Sequence, residues 1–175
     1  MADECVCPAC GAGGNPEIDK CEYCGSPLKP SSVWAGGADE AGLFRELTQL
    51  EVKATKQPNN AKNFLQLAQT QFRLGRYSQA AESLDKAAKI VPDNADIWYW
   101  FSCASAMKSG WGNTAVEDYA RRACSLNPKM TQAESVIYLS RGARQCLATR
   151  SAENLLSAIE NFKKAVTINP ANFAA

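Results

Sequence analysis

The sequence predicts a mainly α chain, a tandem helix-hairpin repeat solenoid preceded by a small metal-stapled β-hairpin module. Three observations carry this expectation. Prolines 58, 92, 128 and 170 lie 34, 36 and 42 residues apart, and each ends one helical run and precedes another. Alanines and large apolar residues recur at fixed distances from those prolines. Five of the eight cysteines fall within residues 5–24. With 175 residues, 46% hydrophobic and a formal net charge of +1, the chain has room for one full core beside a small satellite.

The cysteines come first along the chain. Cys7-Pro8-Ala9-Cys10-Gly11 and Cys21-Glu22-Tyr23-Cys24-Gly25 form two C-x2-C knuckles with ten residues between them. Two thiolates on one tight turn take adjacent corners of a tetrahedron, and a second turn supplies the other two. The glycine after each second cysteine permits the left-handed backbone that turns amides toward sulfur. Gly14 to Lys20 is then expected as one arm of a short hairpin. A disulfide framework needs an oxidising compartment, and the acidic start Met-Ala-Asp-Glu-Cys shows no export signal. A cytoplasmic, reduced location is the default expectation. Four thiolates leave no open coordination position, so the metal is expected to stabilise the module, not to catalyse.

These knuckles resemble those of the zinc-ribbon family. The resemblance covers residues 7–28 and implies one structural Zn2+ held by Cys7, Cys10, Cys21 and Cys24, with Cys5 outside the pattern. The same knuckles are also similar to rubredoxin-like iron modules, so an electron-transfer role with iron stands as one alternative, and a nucleic-acid-associated zinc-ribbon factor as another. Residues 1–30 carry five acidic against two basic side chains, a formal −3, and a four-thiolate zinc adds about two negative charges. Such a module repels phosphate, which argues against nucleic acid and for a protein partner.

Residues 29–38 read as a linker, since proline, serines and paired glycines hold neither a helix nor a strand. Trp34 within it is expected to dock on a neighbouring surface. From Asp39 the pattern becomes helical, with Leu43, Phe44, Leu47 and Leu50 at three- and four-residue spacings, so 39–58 is expected as a capping helix. Five residues before the last three prolines stand Ala87, Ala123 and Ala165, and twelve before stand Ala80, Val116 and Ala158. Nine after the first three stand Leu67, Phe101 and Ile137, and six after the first two stand Phe64 and Trp98. Alanine recurs where the two helices of a hairpin cross closely, and large residues recur where hairpins pack on each other.

Phe64, Leu67, Ala68, Gly75, Tyr77, Ala80, Leu84, Ala87 and Pro92 make the first unit resemble the tetratricopeptide-repeat (TPR) family. The resemblance implies three TPR-like repeats over 59–175, at 59–92, 93–128 and 129–170. The second has two extra residues, expected in the turn near Gly110-Trp111-Gly112. The third departs furthest: Glu134 stands where a large apolar residue is usual, Tyr138 where a small one is, and about eight extra residues are expected to lengthen both helices around Ala143 to Ser151.

The TPR resemblance further implies a groove lined by the first helix of each unit that holds a protein or peptide partner. Carried across, its positions are Lys62, Leu65, Gln69, Phe72 and Arg73, then Asp96, Tyr99, Cys103, Ala106 and Met107, then Gln132, Ser135, Leu139, Gly142 and Ala143. Leu65 and Trp100 stand at two places where chaperone-binding members carry a carboxylate clamp, so no such clamp is expected. Phe72, Tyr99 and Met107 are the expected apolar anchors.

Composition narrows the chemistry. The chain has no histidine, which removes Ser-His-Asp and Cys-His catalysis, His-ligated zinc hydrolases and zinc deaminases. It also lacks a phosphate-cradling Gly-x-x-x-x-Gly-Lys-Ser/Thr loop and a strand leading into Gly-x-Gly-x-x-Gly. Cys103, Cys124 and Cys146 fall in expected helices and are read as small core residues. Arg121, Arg122, Lys129, Arg141, Arg144 and Arg150 crowd the second and third units, either as a solvated face or as a surface for an acidic partner. The expected function is a non-catalytic adaptor or scaffold. An uncovered third unit would further favour a homo-oligomer.

Overall fold

A computed structural model describes residues 5–6, 13–14, 40–148 and 151–170. The chain divides into two units, Met1–Gly37 and Ala38–Ala175. In the first, β1 (Cys5–Val6) pairs antiparallel with β2 (Gly13–Gly14), Cys5 opposite Gly14 and Val6 opposite Gly13. Of the expected arm Gly14 to Lys20, Gly14 is described and stands opposite Cys5. The rest of that arm, the cysteines Cys7, Cys10, Cys21 and Cys24, and the linker with Trp34 lie outside the described residues.

The second unit consists, among the described residues, of seven helices: α1 (Glu40–Lys56), α2 (Ala61–Arg73), α3 (Tyr77–Ile90), α4 (Ala95–Ser109), α5 (Thr114–Leu126), α6 (Thr131–Leu147) and α7 (Ala152–Ile168). Three antiparallel hairpins, α2/α3, α4/α5 and α6/α7, stack in chain order, with α1 against α2, α3 against α4 and α5 against α6. The first helices also touch one another, α2 with α4 and α4 with α6, and so share one face of the stack.

Local chemistry sets the boundaries. After Pro58 and Pro92 comes an asparagine two residues on. The Asn60 side chain accepts from the Lys62 amide at 3.1 Å and that of Asn94 from the Asp96 amide at 2.9 Å, capping α2 and α4. At the equivalent place before α6 stands Met130, which supplies no side-chain cap. Inside the first two hairpins the turn passes through the left-handed region at Gly75 (φ 72°) and Gly110 (φ 87°), where a side chain would be strained.

The extra residues fall partly where the sequence suggests. In the third hairpin both helices lengthen to 17 residues. In the second, α4 itself grows to 15 residues against 13 in α2, so the insertion near Gly110 is mostly helix and not turn.

The recurring alanines are the crossing points. Ala80, Ala87, Val116, Ala123 and Ala165 are 0% exposed and Ala158 is 1% exposed. The core runs from Leu47, Leu50 and Ala54 of α1 through Phe64, Leu67, Phe72, Leu84 and Ile97, and then through a second cluster of Ala106, Val116, Ala120 and Val136. Replacing Ala87 with leucine forces a larger side chain into a filled crossing. The expected result is a loss of about 1–3 kcal/mol, read as a lowered midpoint in urea.

Three aromatics at the middle hairpin stack instead of entering that core. Trp98 lies parallel to Phe101 at 5.6 Å, and Phe101 to Tyr119 at 5.2 Å, while the Arg122 guanidinium sits 3.9 Å above the Trp98 ring. The Trp98 indole N–H donates to the Pro92 carbonyl at 2.7 Å, which ties α4 to the proline that precedes it. Trp98 and Phe101 are therefore half-buried, not central.

Candidate partner-binding groove

The shared face of α2, α4 and α6 is where the expected groove residues lie. Two clefts open along its proline-bearing edge. One, of about 700 Å³, is lined by Lys62 and Leu65 of α2, by Ile90, Val91 and Asn94, and by Asp96 of α4. The other, of about 370 Å³, is lined by Asp96, Tyr99 and Trp100 of α4 together with Asn127, Lys129, Met130 and Gln132. Asp96 belongs to both and joins them. The structure thus brings Lys62, Leu65, Asp96 and Tyr99 together, with Lys62 and Asp96 exposed and Leu65 and Tyr99 half-buried.

Gln132, also expected, lines the second cleft, whereas most other expected positions separate from these. Phe72 is 5% exposed and meets Tyr77 and Trp100 edge to face, with centroids 5.2 and 5.3 Å apart, so it is a core residue and no anchor. Cys103, Ala106, Ser135, Leu139 and Gly142 are likewise buried, because a helix packed on two sides leaves few free positions. Gly142 is filled from the other direction: a Cβ there would lie 2.6 Å from the Phe162 ring. Gln69 and Arg73 are half-buried, and Arg73 lies 3.9 Å from Glu46 of α1. Met107 is exposed, but outside both clefts.

The helical cysteines divide three ways. Cys103 is buried, and burial pushes its thiol up to about 11 against the opposing hydrogen bonds to Tyr99 and Ser102. Burial, reinforced by Cys103, also raises the Tyr99 hydroxyl above its ordinary value. Cys124 is half-buried, and burial raises its thiol as well, aided by Glu134. Cys146, in the last turn of α6, is exposed and does not belong to the core.

The arginine-rich region has a more specific structure than a solvated face. Glu117 of α5 is buried, at 7% exposure, and three guanidiniums converge on it. Arg121 donates Nε and Nη2 to Oε1 at 2.9 and 2.8 Å, Arg141 donates Nε to Oε1 at 2.9 Å, and Arg144 donates Nη2 to Oε2 at 2.7 Å. Burial by itself would raise this carboxyl. The hydrogen bonds from Arg144, Arg121 and Arg141 outweigh it and hold the group down at about 2. Arg141 and Arg144 belong to α6, so the cluster joins the second hairpin to the third. Tyr138 of α6 extends it, with Arg141 and Lys164 lying 5.7 and 5.9 Å from its ring.

The roles of three residues escaped the sequence reading. The capping asparagines Asn60 and Asn94 have a visible signal, since each stands two residues after a repeat proline. Glu117 has one too, because it shares with Ala81 and Ile159 the position eleven residues before a proline. A carboxylate in a column of apolar residues calls for a buried partner.

Residues 68–101 match the protein family described as TPR repeat. That segment is similar to a tetratricopeptide repeat. The solved structures show how far that fold extends: a crystal structure of MamA is similar at 23% identity with a TM-score of 0.59, covering 75% of this chain and 71% of MamA. A structure described as the first TPR of Spaghetti (RPAP3) bound to HSP90 peptide SRMEEVD aligns at 21% identity with a TM-score of 0.50, over 65% of this chain and 82% of that one. Both show the tetratricopeptide-repeat fold. Among curated proteins, BBSome complex member bbs-4 of Caenorhabditis elegans is 38% identical over 45 residues, which is 26% of this chain and only a tenth of that protein's length. Among the described residues no helix is long and apolar enough to cross a membrane.

Proposed function

We propose that the chain is a non-catalytic adaptor whose tetratricopeptide repeats hold a protein or peptide partner along the α2–α4 edge. The observation that carries this reading is the joining of the two clefts through Asp96. Lys62, Leu65, Asp96 and Tyr99 together offer a cation, an aliphatic surface, an anion and an aromatic ring in one line, which suits an extended segment or one face of a helix. The RPAP3 neighbour, bound to an HSP90 peptide, lends support by fold. Leu65 and Trp100 argue for a ligand held by apolar and mixed contacts in place of a carboxylate clamp.

A peptide library displayed on phage, selected against the full chain, supplies the probe. Selected peptides are expected to lose at least about tenfold in affinity on Tyr99→Ala and on the charge change Lys62→Glu, which touches no core residue. The peptide SRMEEVD is expected to bind more weakly than the selected ones. Unchanged affinity in both variants would place the binding surface elsewhere.

The N-terminal cysteines complete the reading. Cys7, Cys10, Cys21 and Cys24 are proposed to hold one structural Zn2+, whose role is to fix a module too small to fold by its own core and so to present a second interaction surface. The spacing of the two C-x2-C pairs supports this. The pairing of Cys5–Val6 with Gly13–Gly14 adds that residues 7–12, which include the first knuckle, connect two paired strands. Elemental mass spectrometry of protein purified without added metal is expected to give about one zinc per chain and no visible absorption. Iron with a red chromophore would instead support an electron-transfer centre.

A further inference from the structure

Along one edge of its contact with α6, α7 carries an apolar row with no cover among the described residues. Leu155, Ile159 and Val166 are 46%, 48% and 41% exposed, and Phe162 between them is half-buried, one side of its ring lying against Gly142 of α6. Together with Lys163 and Thr167, the last three line a cleft of about 490 Å³. Repeat geometry says what such a row is for. Eight residues before their prolines, Leu84 and Ala120 occupy the place of Phe162, and both are buried against the next hairpin, Leu84 in one cluster with Ile97 of α4 and Ala120 in one cluster with Val136 of α6. Eleven before, Glu117 occupies the place of Ile159 and is held by Arg141 and Arg144 of α6. These are the positions through which each hairpin receives one further helix. In α7 they are uniformly apolar.

The row also has a symmetry of its own. Its spacings are four, three and four residues, which read the same in both directions along the helix. An antiparallel copy of α7 therefore meets it in register, over about 17 Å of helix. Across the pair Leu155 faces the partner's Val166, and Ile159 faces the partner's Phe162. Ala158 and Ala165, small and buried toward α6, border the row on one side and permit close approach. Leu156, 64% exposed, and Lys163 border it on the other, where an aliphatic stem lies over an apolar side chain. Glu153, Glu160 and Lys164 point away from it at 100° per residue and bring no like charges together.

We propose that α7 is a self-association surface, through which two copies of the chain pair antiparallel about a two-fold axis. The partner α7 covers the row as α4 covers α3 and α6 covers α5. An isologous contact of this kind closes at two copies and does not propagate.

Sedimentation equilibrium of the full chain, with reductant present because Cys146 is exposed, tests this. A concentration-dependent dimer is expected at micromolar to tens of micromolar protein. Leu155→Glu and Val166→Lys are each expected to weaken it at least about tenfold while leaving the unfolding midpoint of the monomer in place, since both side chains are already half in water. The two changes combined in one chain are expected to restore the dimer, because the two-fold axis sets the introduced carboxylate of each copy against the introduced ammonium of the other. Three results would overturn the proposal. One is a monomer at every concentration, and another is a dimer untouched by the single changes. The third is a growing series of oligomers that Phe44→Glu on α1 abolishes, the mark of head-to-tail stacking.

Discussion

Replacing Glu117 with alanine is expected to cost about 3–5 kcal/mol, because it leaves Arg121, Arg141 and Arg144 crowded around a site with no counter-charge. The hydrogen bonds that hold the carboxylate charged are also what make the effect depend on pH. The carboxyl has its ordinary value of 4.5 when unfolded and about 2 when folded, so its contribution is present in full above the first value and disappears as pH falls toward the second. Over that interval the wild type is expected to lose about 3 kcal/mol from this group. Glu117→Gln keeps the shape and some of the hydrogen bonds. It is expected to fall between wild type and alanine at pH 7 and to lack the share of acid destabilisation that Glu117 supplies. Urea unfolding at pH 7, 4 and 3 for the three proteins measures this, and parallel pH profiles would show that folding does not lower the pKa of this carboxyl.

Leu84→Ala is expected to cost about 2–5 kcal/mol at the other joint of the stack. Leu84 is 1% exposed and belongs to the cluster that holds Leu67 of its own hairpin and Ile97 of the next. Its removal leaves a cavity between α3 and α4 that rigid helices cannot close. In a stack whose hairpins contact only their neighbours, the two substitutions should also differ in where they loosen the chain. Amide exchange is expected to rise most in α2 and α3 for Leu84→Ala and most in α6 and α7 for the Glu117 variants. Equal loss of protection everywhere in both would mean that the array unfolds as one unit and not joint by joint.

Much of this architecture was legible beforehand. The four prolines and the alanines five and twelve residues before them placed the hairpins and their crossings, since both depend on local rules: proline cannot continue a helix, and only a small side chain fits where two helices cross. The anchors were less legible. Phe72, read from the repeat pattern as part of the groove, turns into the core because Tyr77 and Trp100 close over it. Cys146, read as a small core residue, is exposed in the last turn of α6.

The sequence by itself determined the repeat unit and its helices, which follow from spacing along the chain. Only the tertiary structure decided what the charged and aromatic side chains do. It drew three arginines from two hairpins onto Glu117, aligned Lys62, Leu65, Asp96 and Tyr99 on one edge, and left the α7 row without cover among the described residues. Those outcomes depend on residues far apart along the chain, as in the pairing of Glu117 with Arg144, 27 positions on. Periodicity fixes which face a residue occupies. What meets it on that face is settled only when hairpins stack.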